Sequence, residues 1–262
     1  MEIQHISPPA ASDEVVSLLW HKGPPWVDDI RRRLDGDVPG ARDHFWLARI
    51  DGRLVAHIWY TVAAANRPLG LVGHIYTDPA YRRRGISSEL MKSAMQHFLN
   101  EGGKSMQLFT STPYSVPFYV ARGFENLYEN QSYHETDWYM RYPQGSASQI
   151  DQWYHEQPLR LRQLEASDLP AYCLLYNLEF ETRLKDRAQE IGLGLEAELA
   201  FIRTMGLLSR NQARCSVLAN DRVIAGACSL IPRGFPHQAH VAFTDVYMHP
   251  AFADQTGRLM QH

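Results

Sequence analysis

The stretch TDPAYRRRGISSELMKSAM, residues 77–95, decides how the chain reads. Three consecutive arginines, Arg82, Arg83 and Arg84, stand in a protein whose formal net charge is −3. A glycine follows them, and then Ile86, Leu90, Met91, Ala94, Met95 and Phe98 recur at helical spacing. Ahead of them, LGLVGHIYTD (69–78) is rich in β-formers and ends at a turn through Asp78 and Pro79. A strand, a tight turn and a helix opening at Gly85 place several unpaired backbone amides at one point. Helix N-termini carry a partial positive charge and leave their first amides open, so they seat phosphate groups. Gly85 permits close backbone approach, Ser87 is small, and the arginines add charge-assisted contacts. The alternative is a solvated basic turn.

Working outward, each neighbouring segment reads as a regular element. HFWLARIDGRLVAHIWYTV (44–62) is a hairpin, with two β-rich runs around Asp51-Gly52, the pair favoured in a two-residue turn. MEIQHI at the start alternates as a short strand. SDEVVSLLWH (12–21) is a helix with Ser12 as its cap, and PPWVDDIRRRLDG (24–36) a second, entered at Pro25 and ended by Gly36. Beyond the central helix, Gly102-Gly103 gives a stop. SMQLFTS is then a strand, VPFYVARG a short helix ended by Gly123, and FENLYENQSYHETDWYMRY a final strand pair.

PQGSASQIDQWYHEQP (143–158), rich in Gln, Ser and Gly, reads as a linker between domains. Beyond it the plan repeats. VLANDRVIAGACSL echoes LARIDGRLVAHIWY, and VYMHPAF echoes IYTDPAY, with Ile75 and Val246 offset by 171 residues. Such a period indicates duplication of a domain rather than a solenoid. The copy then reads FADQTGRLMQH and lacks the residues for a second half. It puts Ala253, Asp254, Gln255 and Thr256 where Arg82 to Gly85 stand, so an aspartate occupies the anion position. Three explanations stay open: a shortened domain, a half completed by a partner chain, or a truncation. Its expected work is structural, including a homodimer contact.

The loop and its surroundings resemble one family. R-R-R-G-I-S at Arg82 to Ser87 fits the [Q/R]-x-x-G-x-[G/A] pyrophosphate loop of the GNAT superfamily of N-acetyltransferases, with Ser87 in the small-residue place. VPFYVARGF (116–124) is similar to the FYxxxGF signature of the same family. The resemblance covers residues 1–142 in element order and 159–262 as a half-length echo. It implies an α/β fold with a mixed sheet split at the strand ending in Thr77, with acetyl-CoA in the split. By the same resemblance, the main chain of Ile75, Tyr76 and Thr77 pairs with the pantetheine arm. The amides of Arg82, Arg83, Arg84, Gly85, Ile86 and Ser87 hold the pyrophosphate. Tyr119 matches the family tyrosine that protonates the departing thiolate, a task suited to a phenol of pKa about 10. The alternative for Tyr119 is a core residue whose hydroxyl bonds the backbone.

No general base stands out. His74 is placed by strand alternation with Val72 and Tyr76, away from the face of Leu71, Gly73 and Ile75, and reads as a core histidine. Asp28, Asp29, His134 and Glu135 lie in segments expected to wall an acceptor groove, together with Trp26, Tyr133 and Trp138. The resemblance implies that residues 1–142 are an acetyltransferase domain acting on a small-molecule or peptide amine. A non-catalytic acyl-CoA-binding module is the competing reading.

Composition narrows the rest. The chain has 262 residues, 45% hydrophobic and 21% charged, enough for one large or two small globular domains. The charge balance disfavours a nucleic-acid partner. The longest apolar run, LVAHIWYTVAAAN, is too short for a bilayer, and no secretory leader is read at the start. Three cysteines without paired spacing fit reduced thiols in the cytoplasm. HQAH (237–240) offers only two histidines on opposite strand faces, so no metal is expected.

Overall fold

In the computed structural model, residues 1–11, 13–131, 136–178, 197–232 and 241–261 are described. The chain divides into two compact units, residues 1–108 and 109–262.

The first unit is built on strands β1 (Glu2–Ile6), β2 (Ala41–Ile50), β3 (Arg53–Ala63), β4 (Asn66–Thr77) and β5 (Ser105–Thr110), hydrogen-bonded in that order. The β1–β2, β2–β3 and β3–β4 pairs are antiparallel and β4–β5 is parallel, so the sheet is mixed as expected. The Asp51-Gly52 turn closes β2 on β3 with φ of 51° and 78°, the left-handed pair that a tight hairpin requires. Helices α1 (Asp13–Leu19) and α2 (Trp26–Leu34) connect β1 to β2, and α3 (Ile86–Asn100) connects β4 to β5. Its six predicted apolar positions, Ile86 to Phe98, are all buried. Ser12, expected to cap α1, lies outside the described residues.

The basic triplet of α2 separates because helix neighbours are turned about 100° from one another. Arg31 reaches Asp13 and Arg32 reaches Asp37, both at the surface. Arg33 turns inward and is 1% exposed. Its Nε bonds Asp29 at 2.5 Å, one Nη bonds Asp43 at 2.9 Å, and its guanidinium lies 4.8 Å from the Trp59 ring centre. Trp59 Nε1 donates to the same Asp43 oxygen at 2.8 Å. Burial disfavours the Arg33 charge, but the two carboxylates outweigh it and hold the group cationic. The network ties α2 to β2 and β3. Asp29, considered for the acceptor groove, is thereby a core residue, whereas Asp28 is exposed.

The second unit begins within β5 and carries α4 (Val116–Val120), then the antiparallel strands β6 (Glu125–Gln131) and β7 (Thr136–Tyr142). Helix α5 (Ala147–His155) follows, within the segment expected to be an irregular linker. Ile150, Trp153 and Tyr154 form one buried face there, a helical spacing that the polar residues around it obscure. The compact units divide at Leu108/Phe109. Asn220 fastens α5, donating to the Trp153 carbonyl at 2.9 Å while its Oδ1 accepts the amides of Arg222 and Val223.

A four-stranded antiparallel sheet completes this unit, from β8 (Arg160–Gln163), β9 (Arg214–Ala219), β10 (Ile224–Pro232) and β11 (Ala242–Met248), in order β11-β10-β9-β8. Helices α6 (Leu169–Tyr176) and α7 (Ala197–Ser209) lie between β8 and β9, and α8 (Thr256–Met260) ends the chain. All eight residues of α6 are buried. Cys173 and Cys215 are buried and Cys228 is half-buried. No helix among the described residues is long and apolar enough to cross a membrane. HQAH, His134, Glu135 and Tyr133 fall outside the described residues.

Arg33→Ala leaves Asp29 and Asp43 buried without their counter-charge, and we expect a loss of about 3–5 kcal/mol, read from urea denaturation. His57 on β3 is fully buried, and neither ring nitrogen has a hydrogen-bond partner among the described residues. Burial first, then Lys22 and His21, lowers its pKa from 6.5 to about 3. The unfolded chain therefore binds the extra proton between these values, and stability falls as pH drops from 6.5 towards 3. His57→Leu removes that share, so its urea midpoint should fall less between pH 7 and about pH 5 than the parent's.

Candidate functional site

Strand β4 does not alternate regularly. Opposite β3, Tyr76 pairs with His57 and Gly73 with Trp59, so Ile58 faces an extra residue and β4 bulges there. His74 sits in the bulge with φ of 51°. Cross-strand partners share a face, so Val72, paired with Tyr60, and Tyr76, paired with His57, point to opposite sides. The grouping of Val72, His74 and Tyr76 expected from simple alternation is thus broken by one inserted residue. His74 is 6% exposed and lies 5.2 Å from the Trp59 ring centre and 5.5 Å from that of Trp26. Burial, reinforced by Lys22, holds it well below its ordinary pKa and therefore neutral.

The same strand loses its other neighbour early. The β4–β5 ladder runs from Leu69↔Ser105 to Leu71↔Gln107 and ends there. Past Leu71, Tyr76 and Thr77 pair with β3, Ile75 lies in the bulge, and no strand among the described residues takes up the other side of β4 there. Ile75 and Tyr76 are half-buried and Thr77 is buried.

Thr77 leads into the arginine loop. Asp78 Oδ1 accepts the Ala80 amide at 2.9 Å and its other oxygen meets Arg53 at 2.7 Å, fixing a short 3-10 turn over Pro79–Tyr81. The chain then reverses with Arg83 at φ 62° and Gly85 at φ 78°, and α3 starts at Ile86. The first amide to bond back is Ser88, to the Gly85 carbonyl at 3.0 Å. Among the described residues, the amides of 83 to 87 donate to no acceptor and crowd the helix N-terminus. Arg82, Arg83, Arg84 and Gly85 are exposed, Ile86 is buried beneath them, and Ser87 is half-buried.

The guanidiniums divide their work. Arg82 Nε donates to the Thr77 carbonyl at 3.0 Å and lies 5.7 Å from the Tyr76 ring centre. Arg84 donates to the Ala80 carbonyl at 3.1 Å and stacks near Tyr81. These two brace the loop, while Arg83 is exposed. No carboxylate among the described residues pairs with any of the three. A basic loop with open amides and no internal acid is electrostatically suited to a polyanion. The Thr77 and Ser87 hydroxyls bond each other at 2.7 Å. The sequence reading missed this contact, which crosses from strand to helix. One hydroxyl proton of that pair remains available to a ligand.

Tyr119 lies on α4, in the second unit, and is 6% exposed. Its ring packs edge-on to Phe118 at 5.2 Å and Phe124 at 5.9 Å. Burial, only partly opposed by Arg122, pushes its pKa above the usual phenol value. Arg122 covers the Phe118 ring at 3.7 Å and donates to the Phe118 carbonyl at 2.5 Å. Gly123 at φ 85° ends the turn.

Residues 12–124 match the model of the Acetyltransferase (GNAT) family. No curated protein matches the chain. Among solved structures, an acyl-CoA N-acyltransferase from Pseudomonas aeruginosa is 17% identical, with 54% of this chain and 99% of that one covered and a TM-score of 0.43. The ribosomal-protein-S18-alanine N-acetyltransferase of Escherichia coli is 16% identical, with coverage of 54% and 94% and a TM-score of 0.43. An aminoglycoside 6'-N-acetyltransferase complexed with coenzyme A is 13% identical, with coverage of 54% and 96% and a TM-score of 0.43.

A Cβ on Gly85 would meet nothing within 4 Å, so Gly85→Ala costs only the left-handed backbone. We expect a loss of about 1–2 kcal/mol in urea denaturation with the fold retained.

Proposed function

We propose that residues 1–142 form an N-acetyltransferase that moves an acetyl group from acetyl-CoA to a primary amine by direct attack. The observation that carries this reading is the arginine loop. Its amides stand open at the head of α3, directly beyond a strand that has lost its β5 partner. The GNAT-family match over residues 12–124 supports it.

Acetyl-CoA supplies an acyl group already activated as a thioester. In this reading the amides of residues 83–87 and the Arg83 guanidinium hold its pyrophosphate, with Arg82 and Arg84 keeping the loop in shape. The backbone of Ile75, Tyr76 and Thr77, paired on one side only, offers amides and carbonyls to the pantetheine arm and one N–H to the thioester carbonyl. As the amine nitrogen bonds the acyl carbon and the C–S bond breaks, Tyr119 gives its phenolic proton to the departing sulfur. The proton shed by the nitrogen passes to solvent. The raised pKa of Tyr119 keeps that proton in place at neutral pH. His74 is not assigned as the base, because its imidazole is packed between Trp26 and Trp59.

We read residues 159–262 as a degenerate partial copy of the same plan. The parallels supporting this are local and specific. The Ala80 amide bonds Asp78, and the Ala251 amide bonds His249 Nδ1 at 3.2 Å. The Tyr81 amide bonds the Asp78 carbonyl, and the Phe252 amide bonds that of His249. The copies part at the loop, where Thr256 has φ of −56° in place of the left-handed Gly85. Without that reversal, and with Asp254 nearby, the described residues at this turn do not form the same cradle for an anion.

Calorimetry with acetyl-CoA should give one site per chain, and Gly85→Val should abolish it. Tyr119→Phe should lower kcat by about 100-fold or more against a panel of small amines and peptide N-termini, leaving acetyl-CoA affinity nearly unchanged. Parental turnover in Tyr119→Phe would remove the acid role. Absence of acetyl-CoA binding would remove the whole reading.

A further inference from the structure

Three histidines far apart in sequence meet on the sheet face that α3 covers. His5 comes from β1, His44 from β2 and His97 from the last turn of α3. His5 Nε2 lies 3.1 Å from His44 Nδ1, and one ring nitrogen from each of the three lies within 4.8 Å of the other two. The ring centres are 4.5 Å apart for His5–His97, 4.9 Å for His44–His97 and 5.3 Å for His5–His44. All three are half-buried, so the cluster is open to solvent on one side.

From this convergence we propose that His5, His44 and His97 form a binding site for a zinc-class transition-metal dication, with solvent or a small ligand completing the coordination. Zinc bound to imidazole at about 2.0–2.1 Å in tetrahedral geometry separates neighbouring nitrogens by about 3.3–3.4 Å. The His5–His44 separation already approximates that edge. Closing the third side requires a shift of about 1.5 Å, within reach of side-chain rotation at a helix end. The donor set, all imidazole with no carboxylate or thiolate in the cluster, selects Zn, Co, Ni or Cu over Mg and Ca.

The surroundings hold these rings in place. His5 stacks on Trp46 with centres 4.6 Å apart, and His44 stacks on Tyr60 at 4.6 Å. Tyr60 Oη meets His97 Nδ1 at 2.5 Å. A ring nitrogen ligates in the neutral form of the imidazole. An ion at this point would join the edge strand β1 and the end of α3 to β2. The cluster lies apart from the arginine loop in the fold, at the opposite end of α3, so the proposal is independent of the acetyltransferase reading.

The test is titration of chelator-treated, full-length protein with Co2+, followed by ligand-field absorption, and with Zn2+, followed by Tm. One Co2+ per chain with the visible bands of a low-coordinate site is expected. His5→Gln and His97→Gln should each weaken binding by at least about tenfold and remove the Zn2+-dependent rise in Tm. His155→Gln, elsewhere in the chain, should leave both unchanged. Far-UV circular dichroism verifies that each variant is folded. Absence of Co2+ bands in the parent protein would overturn the proposal, as would their persistence in both ligand variants. The three rings would then be an aromatic packing cluster.

Discussion

The site depends on one constraint, the one-sided pairing of β4. A parallel ladder to β5 holds only from Leu69 to Leu71, and an inserted residue at His74 then turns the strand. Bulges bend the strand that carries them and increase its twist. Among the described residues, no second strand takes up the outer hydrogen-bonding groups of residues 75–77. Such groups are costly to bury unless something pairs with them. The loop after Thr77 belongs to the same construction. Its left-handed residues, Arg83 and Gly85, reverse the chain so that α3 begins beside the end of β4.

That geometry needs a firm support beneath it, and the face carrying Trp59 provides one. Arg33, Asp29, Asp43 and Trp59 form a buried network in which each charge has an opposite partner. Such a network adds less net stability than its short distances suggest, because desolvation offsets much of the attraction. It does fix α2 against β2 and β3 in one arrangement, since any displacement would strand a charge. Trp59 also touches His74, so the packing that holds the bulge is continuous with the network.

Much of the first unit could be read from local pattern. The Asp51-Gly52 hairpin, the buried face of α3 and the Gly85 start all follow from signals within a few residues of one another. Their physical causes are local as well: turn sterics, helical periodicity and the conformational freedom of glycine. The α5 helix was hidden because its buried face is only three residues wide in a polar segment, and composition outweighed periodicity. The bulge was hidden for a different reason. Nothing in GHI announces an inserted residue, and a period-two reading assigns faces wrongly from that point on.

The sequence by itself determined the arginine loop, its strand and helix, and the resemblance carried by R-R-R-G-I-S and FYVARGF, because each is written in consecutive residues. Only the tertiary structure decided which of three adjacent arginines in α2 is buried, which faces β4 shows on either side of His74, and that His5, His44 and His97 share a space. Those outcomes depend on register between strands and on the position of a helix over a sheet. Both are set by packing across segments distant in the chain, so no local window contains them.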